Sequence, residues 1–251
     1  MGRGQINAKS RIRAILIGMF VAVVMFLLLT PASYGSDYSD CAGCHSAKPD
    51  LKKKYVHPAV QMGCAVCHSE VHKKGAATSL GLSGKVPQLC FNCHDSSKFR
   101  GRTVHPPVSA GMCTFCHSPH ASDNAHLLRA KVPNLCYECH AKFDGKVVHP
   151  PVAAGMCLLC HTPHAGPYRD LLLKPLNGLC LQCHKKVASA PHANTFGGGH
   201  PLYFRSDPKH PGQEFTCLSC HNPHDSKWIK LFKYKVTDPD GFGLCAHCHK
   251  R

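Results

Sequence analysis

Outside one block near the amino terminus, the apolar residues of this chain fall in twos and threes. They follow neither the 3.6-residue period of an amphipathic helix nor the strict alternation of a half-buried strand. Prolines and glycines interrupt nearly every interval, which leaves helical room only for short turns. The pattern predicts a mostly irregular fold with short α-helices and little or no β. It also predicts that something other than aliphatic packing forms the core.

The exception is a 16-residue apolar run from Ala14 to Leu29, preceded by Arg3, Lys9, Arg11 and Arg13 and followed by TPASYG. That order is an export signal's, and the small residues Ser33 and Gly35 place cleavage after Gly35. A retained membrane anchor is the competing reading, but the run is shorter than the roughly 18 residues that favour a span. No cysteine stands at the cleavage site, which argues against a lipoprotein. The expected mature chain, residues 36–251, has no membrane span and is exported to the periplasm.

Composition points to what replaces the aliphatic core. The 251 residues include 18 cysteines and 21 histidines, and every cysteine falls into the pattern Cys-x-x-Cys-His. The nine copies pair Cys41 with Cys44, Cys64 with Cys67, Cys90 with Cys93, Cys113 with Cys116, Cys136 with Cys139, Cys157 with Cys160, Cys180 with Cys183, Cys217 with Cys220 and Cys245 with Cys248. The histidines that follow them are His45, His68, His94, His117, His140, His161, His184, His221 and His249. Zinc knuckles, redox dithiols and disulfide frameworks also use Cys-x-x-Cys, but none requires a histidine directly after the second cysteine. Nine copies out of nine carry it, so the motif reads as covalent attachment of haem c. Two thiols three residues apart on one helical turn reach the two vinyl groups of a haem, and the next residue presents an imidazole to the iron.

Nine haems on 216 residues leave about 24 residues each, too few for a separate protein shell, so the haem chain itself is expected to serve as the core. The same count changes the meaning of the charge. Residues 1–35 carry four of the positive charges and no acidic residue, so a net +16 becomes +12 in the mature chain. Two propionates per haem bring the total to about −6, and the lysines and arginines are better read as balancing cofactor charge than as a nucleic-acid surface.

The motifs sit in a larger repeat. VHPAVQMGCAVCHSEVH, VHPPVSAGMCTFCHSPH and VHPPVAAGMCLLCHTPH each lead on to LC..CH, with His57, His105 and His149 spaced 48 and 44 residues apart. A looser fourth unit begins near His200. The units, about 57–103, 104–147, 148–199 and 200–251, each carry two motifs and follow one lone motif at Cys41. The longest interval between motifs, Lys185 to Thr216, is the expected hinge or protruding loop.

Nine irons need a sixth ligand, and twelve histidines lie outside the motifs. The mature chain's methionines, Met62, Met112 and Met156, stand one or two residues before a cysteine and suit packing on a haem edge, so bis-histidine ligation is expected. His57, His105, His149 and His200 precede proline, which biases them to extended backbone. His120, His164 and His224 follow proline three residues after a motif histidine, and His72 is a looser counterpart four residues after His68. The ninth distal ligand is expected from His192 or His210, with His126 and His247 as the other sources. His117 and His120 are too close, with Pro119 between them, to bind opposite faces of one haem, so they are expected to hold two different irons.

The strings CHSPH, CHTPH and CHNPH, each followed by LC..CH, resemble the doubled CXXCH family of multihaem c-type cytochromes over nearly all of residues 41–249. The resemblance implies closely packed bis-histidine haems and electron transfer without bond chemistry on a substrate. By similarity, His120, His164 and His224 ligate a neighbouring haem. It also implies redox protein partners: a quinol-linked donor and a periplasmic or outer-membrane acceptor, with a porin and an outer cytochrome among the settings. A multihaem reductase of the nitrite or hydroxylamine type would need an iron with an open position, often signalled by lysine in place of a motif histidine, and no motif here has one. A polymerising extracellular filament subunit is the third reading. The segment SKWIKLFKYK, with the sole tryptophan, Trp228, is either a docking face for an acidic partner or a cover for the last two haems.

Overall fold

The computed structural model describes residues 45, 48–68, 81–189, 192, 199–236 and 242–249. The expected leader, Cys41, Cys44 and His72 lie outside them. Among the described residues no helix is long and apolar enough to cross a membrane.

Among the described residues regular structure is confined to helices of three to six residues and two-residue strands. Each of the first three units opens on a histidine held in extended backbone, His57, His105 and His149, with ψ of 128° or 129°. The following proline starts a one-turn helix: Pro58–Gln61, Pro106–Ser109 and Pro150–Ala153. Proline suits the first helical position because its fixed φ is already helical and the missing N–H has no partner there anyway. The turn stops at a glycine. Gly111 and Gly155 have φ of +72° and +71°, and a Cβ at either would sit 2.7 Å from the Cδ of Pro87 or Pro133. Both backbone conformation and space therefore require glycine here.

Six short strands join successive units: β1 (Tyr55–Val56), β2 (Thr103–Val104), β3 (Ala121–Ser122), β4 (Val147–Val148), β5 (Ala165–Gly166) and β6 (Asp225–Ser226). They pair antiparallel as β1 with β3, β2 with β5 and β4 with β6. In each case the strand that leads one unit pairs with the strand behind the first motif of the next unit. Isolated pairs this short gain little by themselves, and they act here as clips that set the register between units.

No ordinary core backs these elements. Among the described residues only two apolar side chains are buried, Ala121 (1 % exposed) and Phe215 (7 %), and no large side chain is fully buried. The chain instead surrounds one continuous cavity of about 3060 Å³ that runs past all eight described motifs. A mostly irregular fold with short helices and very little β is what the interrupted apolar pattern predicts, and the sheet is limited to these three clips.

The interval after Lys185 is partly structured. Phe204 and Phe215 bridge antiparallel, and the Tyr203 hydroxyl donates to Glu214 at 2.8 Å. Asn177 ties this region to the preceding unit, donating to the Leu202 carbonyl and accepting from the Cys217 N–H.

Candidate haem sites

Each described motif is one closed turn. The backbone N–H of the motif histidine donates to the carbonyl of the first cysteine at 2.9–3.1 Å in all eight, from His68 on Cys64 to His249 on Cys245. This bond spans four residues, so the two thiols and the imidazole are held on one short stretch of chain. None of the sixteen described cysteines is in a disulfide, and no group of three or more potential ligands among the described residues gathers as a metal cage. The zinc and disulfide readings of the motif therefore lack the geometry they need.

The histidines instead meet in facing pairs. His57 faces His94 at 6.0 Å between ring centroids, His68 faces His120 at 6.1 Å, and His105 faces His140 at 6.1 Å. His117 faces His164 at 5.9 Å, His149 faces His184 at 6.1 Å, and His161 faces His224 at 5.9 Å. The last two pairs, His192 with His221 and His200 with His249, are both 6.3 Å apart. The separation is diagnostic. A metal–imidazole bond of about 2.0–2.1 Å, plus ~1.1 Å from nitrogen to ring centre, puts two rings ligating one metal ion from opposite sides about 6.2–6.4 Å apart. Rings that simply pack lie closer: Phe143 on His224 at 4.6 Å, Phe232 on His221 at 4.8 Å and Phe99 on His164 at 5.0 Å. The residues present, with the cavity between them, fit haem iron held between two imidazoles.

The pairing has a rule. The histidine that opens a unit faces the second motif of its own unit, as in His57 with His94. The histidine that follows a first motif faces the first motif of the unit before, as in His120 with His68. His117 and His120 accordingly face different partners, His164 and His68. The rings are suited to ligation by their ionisation too. Burial pushes His57, His120, His164, His192, His221 and His224 below the usual imidazole range, and the facing histidine adds to it for the first four and for His224. Neutral imidazole is the form that binds a metal.

Across unit boundaries the cysteines themselves touch. The thiols of Cys90 and Cys113, Cys136 and Cys157, and Cys180 and Cys217 are in hydrogen-bonding contact. Burial pushes Cys90 and Cys136 up, and the contacting thiol adds to it. The bond from Cys180 brings Cys217 down to about 7, while Cys180 itself is pushed up. The second attachment turn of one unit therefore lies against the first attachment turn of the next.

Some of the expected ligands stand elsewhere. His210 does not face a motif histidine; its Nδ1 lies 3.2 Å from the carboxylate of Asp207, which also accepts from the Ser219 hydroxyl at 2.6 Å. His247 stacks on Tyr234 at 4.4 Å. His126 is exposed on a left-handed turn. His45 is described, but Cys41, Cys44 and His72 are not. His192 carries a signal that the Pro-His grouping of the sequence passes over, since Pro191-His192-Ala193 repeats Pro119-His120-Ala121 and Pro163-His164-Ala165. The SKWIKLFKYK segment lies over the fourth unit's first motif, through the stacking of Phe232 on His221.

Four stretches of the chain, residues 57–99, 105–145, 149–189 and 210–251, match the family model for the doubled CXXCH motif. The multihaem cytochrome MtrA of Shewanella baltica (strain OS185) is 33% identical over 113 residues, which are 43% of this chain and 33% of that relative. The match thus spans a third of the relative's length.

Proposed function

The chain belongs to the doubled CXXCH family of multihaem c-type cytochromes, and from that premise we propose that it carries electrons along nine covalently bound haems, each held between two histidines. When bound, haem c supplies reversible one-electron uptake and release, at low potential where both axial ligands are histidine. The observation that carries the reading is the set of eight facing pairs at 5.9–6.3 Å.

The protein's part is to hold and to space. In each motif the cysteines fix the cofactor covalently and the following histidine is the proximal ligand. The distal ligands are His57, His105, His149 and His200 within units, His120, His164 and His224 across units, and His192 for the fourth unit's first motif. To His72, which lies outside the described residues, we assign the remaining distal role at His45 of the lone motif. Every cross-unit ligand sits next to a backbone bond that ties the same two units together, so ligation and chain packing support one another. The cysteine contacts keep successive attachment turns close, and closeness is what electron hopping requires.

A second histidine facing the motif histidine in all eight motifs whose cysteines are described favours a carrier over a nitrite- or hydroxylamine-reducing enzyme, which would need an open iron. We place the protein outside the cytoplasm, between a quinol-linked donor and a periplasmic or outer-membrane acceptor, a setting that rests on the leader-like amino terminus and on family resemblance. The test is an intact mass of the exported protein with a spectrum of its oxidised form. Nine haem additions on a chain starting at Ser36, all low-spin and inert to cyanide and nitrite, are expected. Fewer than nine additions, or a high-spin haem that binds nitrite, overturns the reading.

A further inference from the structure

The two motifs of a unit are not equivalent in what lies behind the histidine. The Nδ1 of His117 is 2.8 Å from the carbonyl oxygen of His126, that of His161 is 2.8 Å from the carbonyl of Asp170, and that of His221 is 2.8 Å from the carbonyl of Lys230. All three histidines belong to the first motif of a unit. The second-motif histidines His94, His140, His184 and His249 are exposed and make no such bond among the described residues.

The carbonyls that accept these bonds come from an unusual backbone. His126 and Leu127 have φ of 56° each, Asp170 and Leu171 have 55° and 56°, and Lys230 and Leu231 have 53° and 58°. Six non-glycine residues thus sit in left-handed conformation, two in succession each time, which L-residues avoid unless the surroundings require it. The second residue of each pair shows what is required. The carbonyls of Leu127, Leu171 and Leu231 accept the backbone N–H of Ser118, Thr162 and Asn222, the residues directly after the three histidines, at 2.7–2.8 Å. The turn grips the histidine twice, once on the ring and once on the adjoining backbone.

Resting on the proposed haem ligation, we infer that the left-handed turns at His126, Asp170 and Lys230 are positioning elements that set the ring orientation and lower the reduction potential of the first-motif sites, making them a different class of redox site from the second-motif ones. An Nδ1–H that donates to a carbonyl fixes the tautomer and makes the imidazole a more basic ligand, which favours the oxidised metal. In the first unit, His68 Nδ1 is buried and has no partner among the described residues. The bridges of His117 with Leu128 and of His161 with Leu172 recur there as His68 with Leu82.

The experiment uses the exported, haem-loaded protein and two substitutions at His126. His126→Pro cannot adopt the left-handed turn, whereas His126→Gly adopts it freely. Stepwise redox titration of His126→Pro should show one site easier to reduce by about tenfold in its equilibrium, 59 mV for one electron, while His126→Gly stays at the wild-type value. An unmoved potential in His126→Pro, or an equal shift in His126→Gly, overturns the inference. A second measurement needs no variant: in the reduced protein the ring N–H groups of His117, His161 and His221 should exchange with solvent at least tenfold more slowly than those of His94, His140 and His184, and equal rates sink it. Failure of the ligation reading looks different, since it appears as missing haem mass or a high-spin spectrum in the unmodified protein.

Discussion

The backbone N–H of His200 donates to the carbonyl of His192 at 2.7 Å. It is the bond that His57 makes to His120, His105 to His164 and His149 to His224, at 2.7–2.9 Å. In those three cases the acceptor belongs to the next unit, and its ring faces the first motif of the unit that donates. His192 belongs to no later unit. His192 stands where a fifth repeat would supply its histidine, and the series of cross-unit pairs ends there.

In the haem-loaded protein, removing the His192 ring has one local effect. His192→Ala should leave nine haems attached and convert one, at the Cys217 motif, to a high-spin form, seen in the oxidised spectrum as a single new haem that binds cyanide. His210→Ala should leave all sites low-spin, because His210 is engaged with Asp207. The reverse outcome, with His210→Ala producing the high-spin haem, would remove His192 from the ligand set.

The cross-unit pairs make a second test between the first two units. His120 faces His68 across two units, whereas its sequence neighbour His117 faces His164. His120→Ala should therefore leave the haem on Cys113 and Cys116 attached and low-spin and turn the haem on Cys64 and Cys67 high-spin. Paramagnetic NMR of the oxidised intact variant, with the high-spin haem's shifted signals assigned through the cysteines that carry it, identifies which site has changed.

The haem-attachment motif was legible in the sequence because it is written in spacing, as Cys-x-x-Cys-His, and the His-Pro and Pro-His contexts picked out most of the histidines that turn out to face a motif histidine. The extended backbone of His57, His105 and His149 also followed from the proline behind each. The partner of each histidine was not legible, since it depends on which units lie side by side, and the two-residue strands that hold them there leave no alternation to read. The left-handed turns were hidden for another reason. His126, Asp170 and Lys230 are residues that ordinarily avoid that conformation, and it is imposed by the bonds they make to a histidine nine residues earlier. His192 was one of two expected sources of the ninth ligand, and its Pro-His-Ala context is the feature that separates it from His210.

Gly111 tests how tightly successive units are packed. It combines a φ of +72° with a Cβ position 2.7 Å from Pro87 Cδ, so alanine there meets both backbone strain and a clash with a ring that cannot swing away. Gly111→Ala should lower the stability of the haem-loaded protein by about 1–3 kcal/mol, read as a drop in thermal midpoint by circular dichroism. Gly178→Ala, where a Cβ would have nothing within 4 Å, is the control, and equal midpoints for the two variants would remove the packing argument.

Asp207 gives the pH dependence a named source. The residue is 3 % exposed, and its carboxylate accepts from the Ser219 hydroxyl at 2.6 Å and from the Lys209 N–H at 2.8 Å. Burial pushes its carboxyl up, but these bonds and His210 more than offset it, leaving the group below the usual carboxylate range. A carboxyl depressed in the folded state stabilises it fully above the free value of about 3.9, and that contribution is lost as pH falls below this through the folded value. Asp207→Asn keeps the size of the side chain but loses a charged acceptor, and should cost about 1–3 kcal/mol at neutral pH. Its thermal midpoint should also fall less steeply than the wild-type one between pH 4 and 2, because the group that titrates there is gone. Parallel curves for the two proteins over that interval would mean that Asp207 is not what acid disrupts.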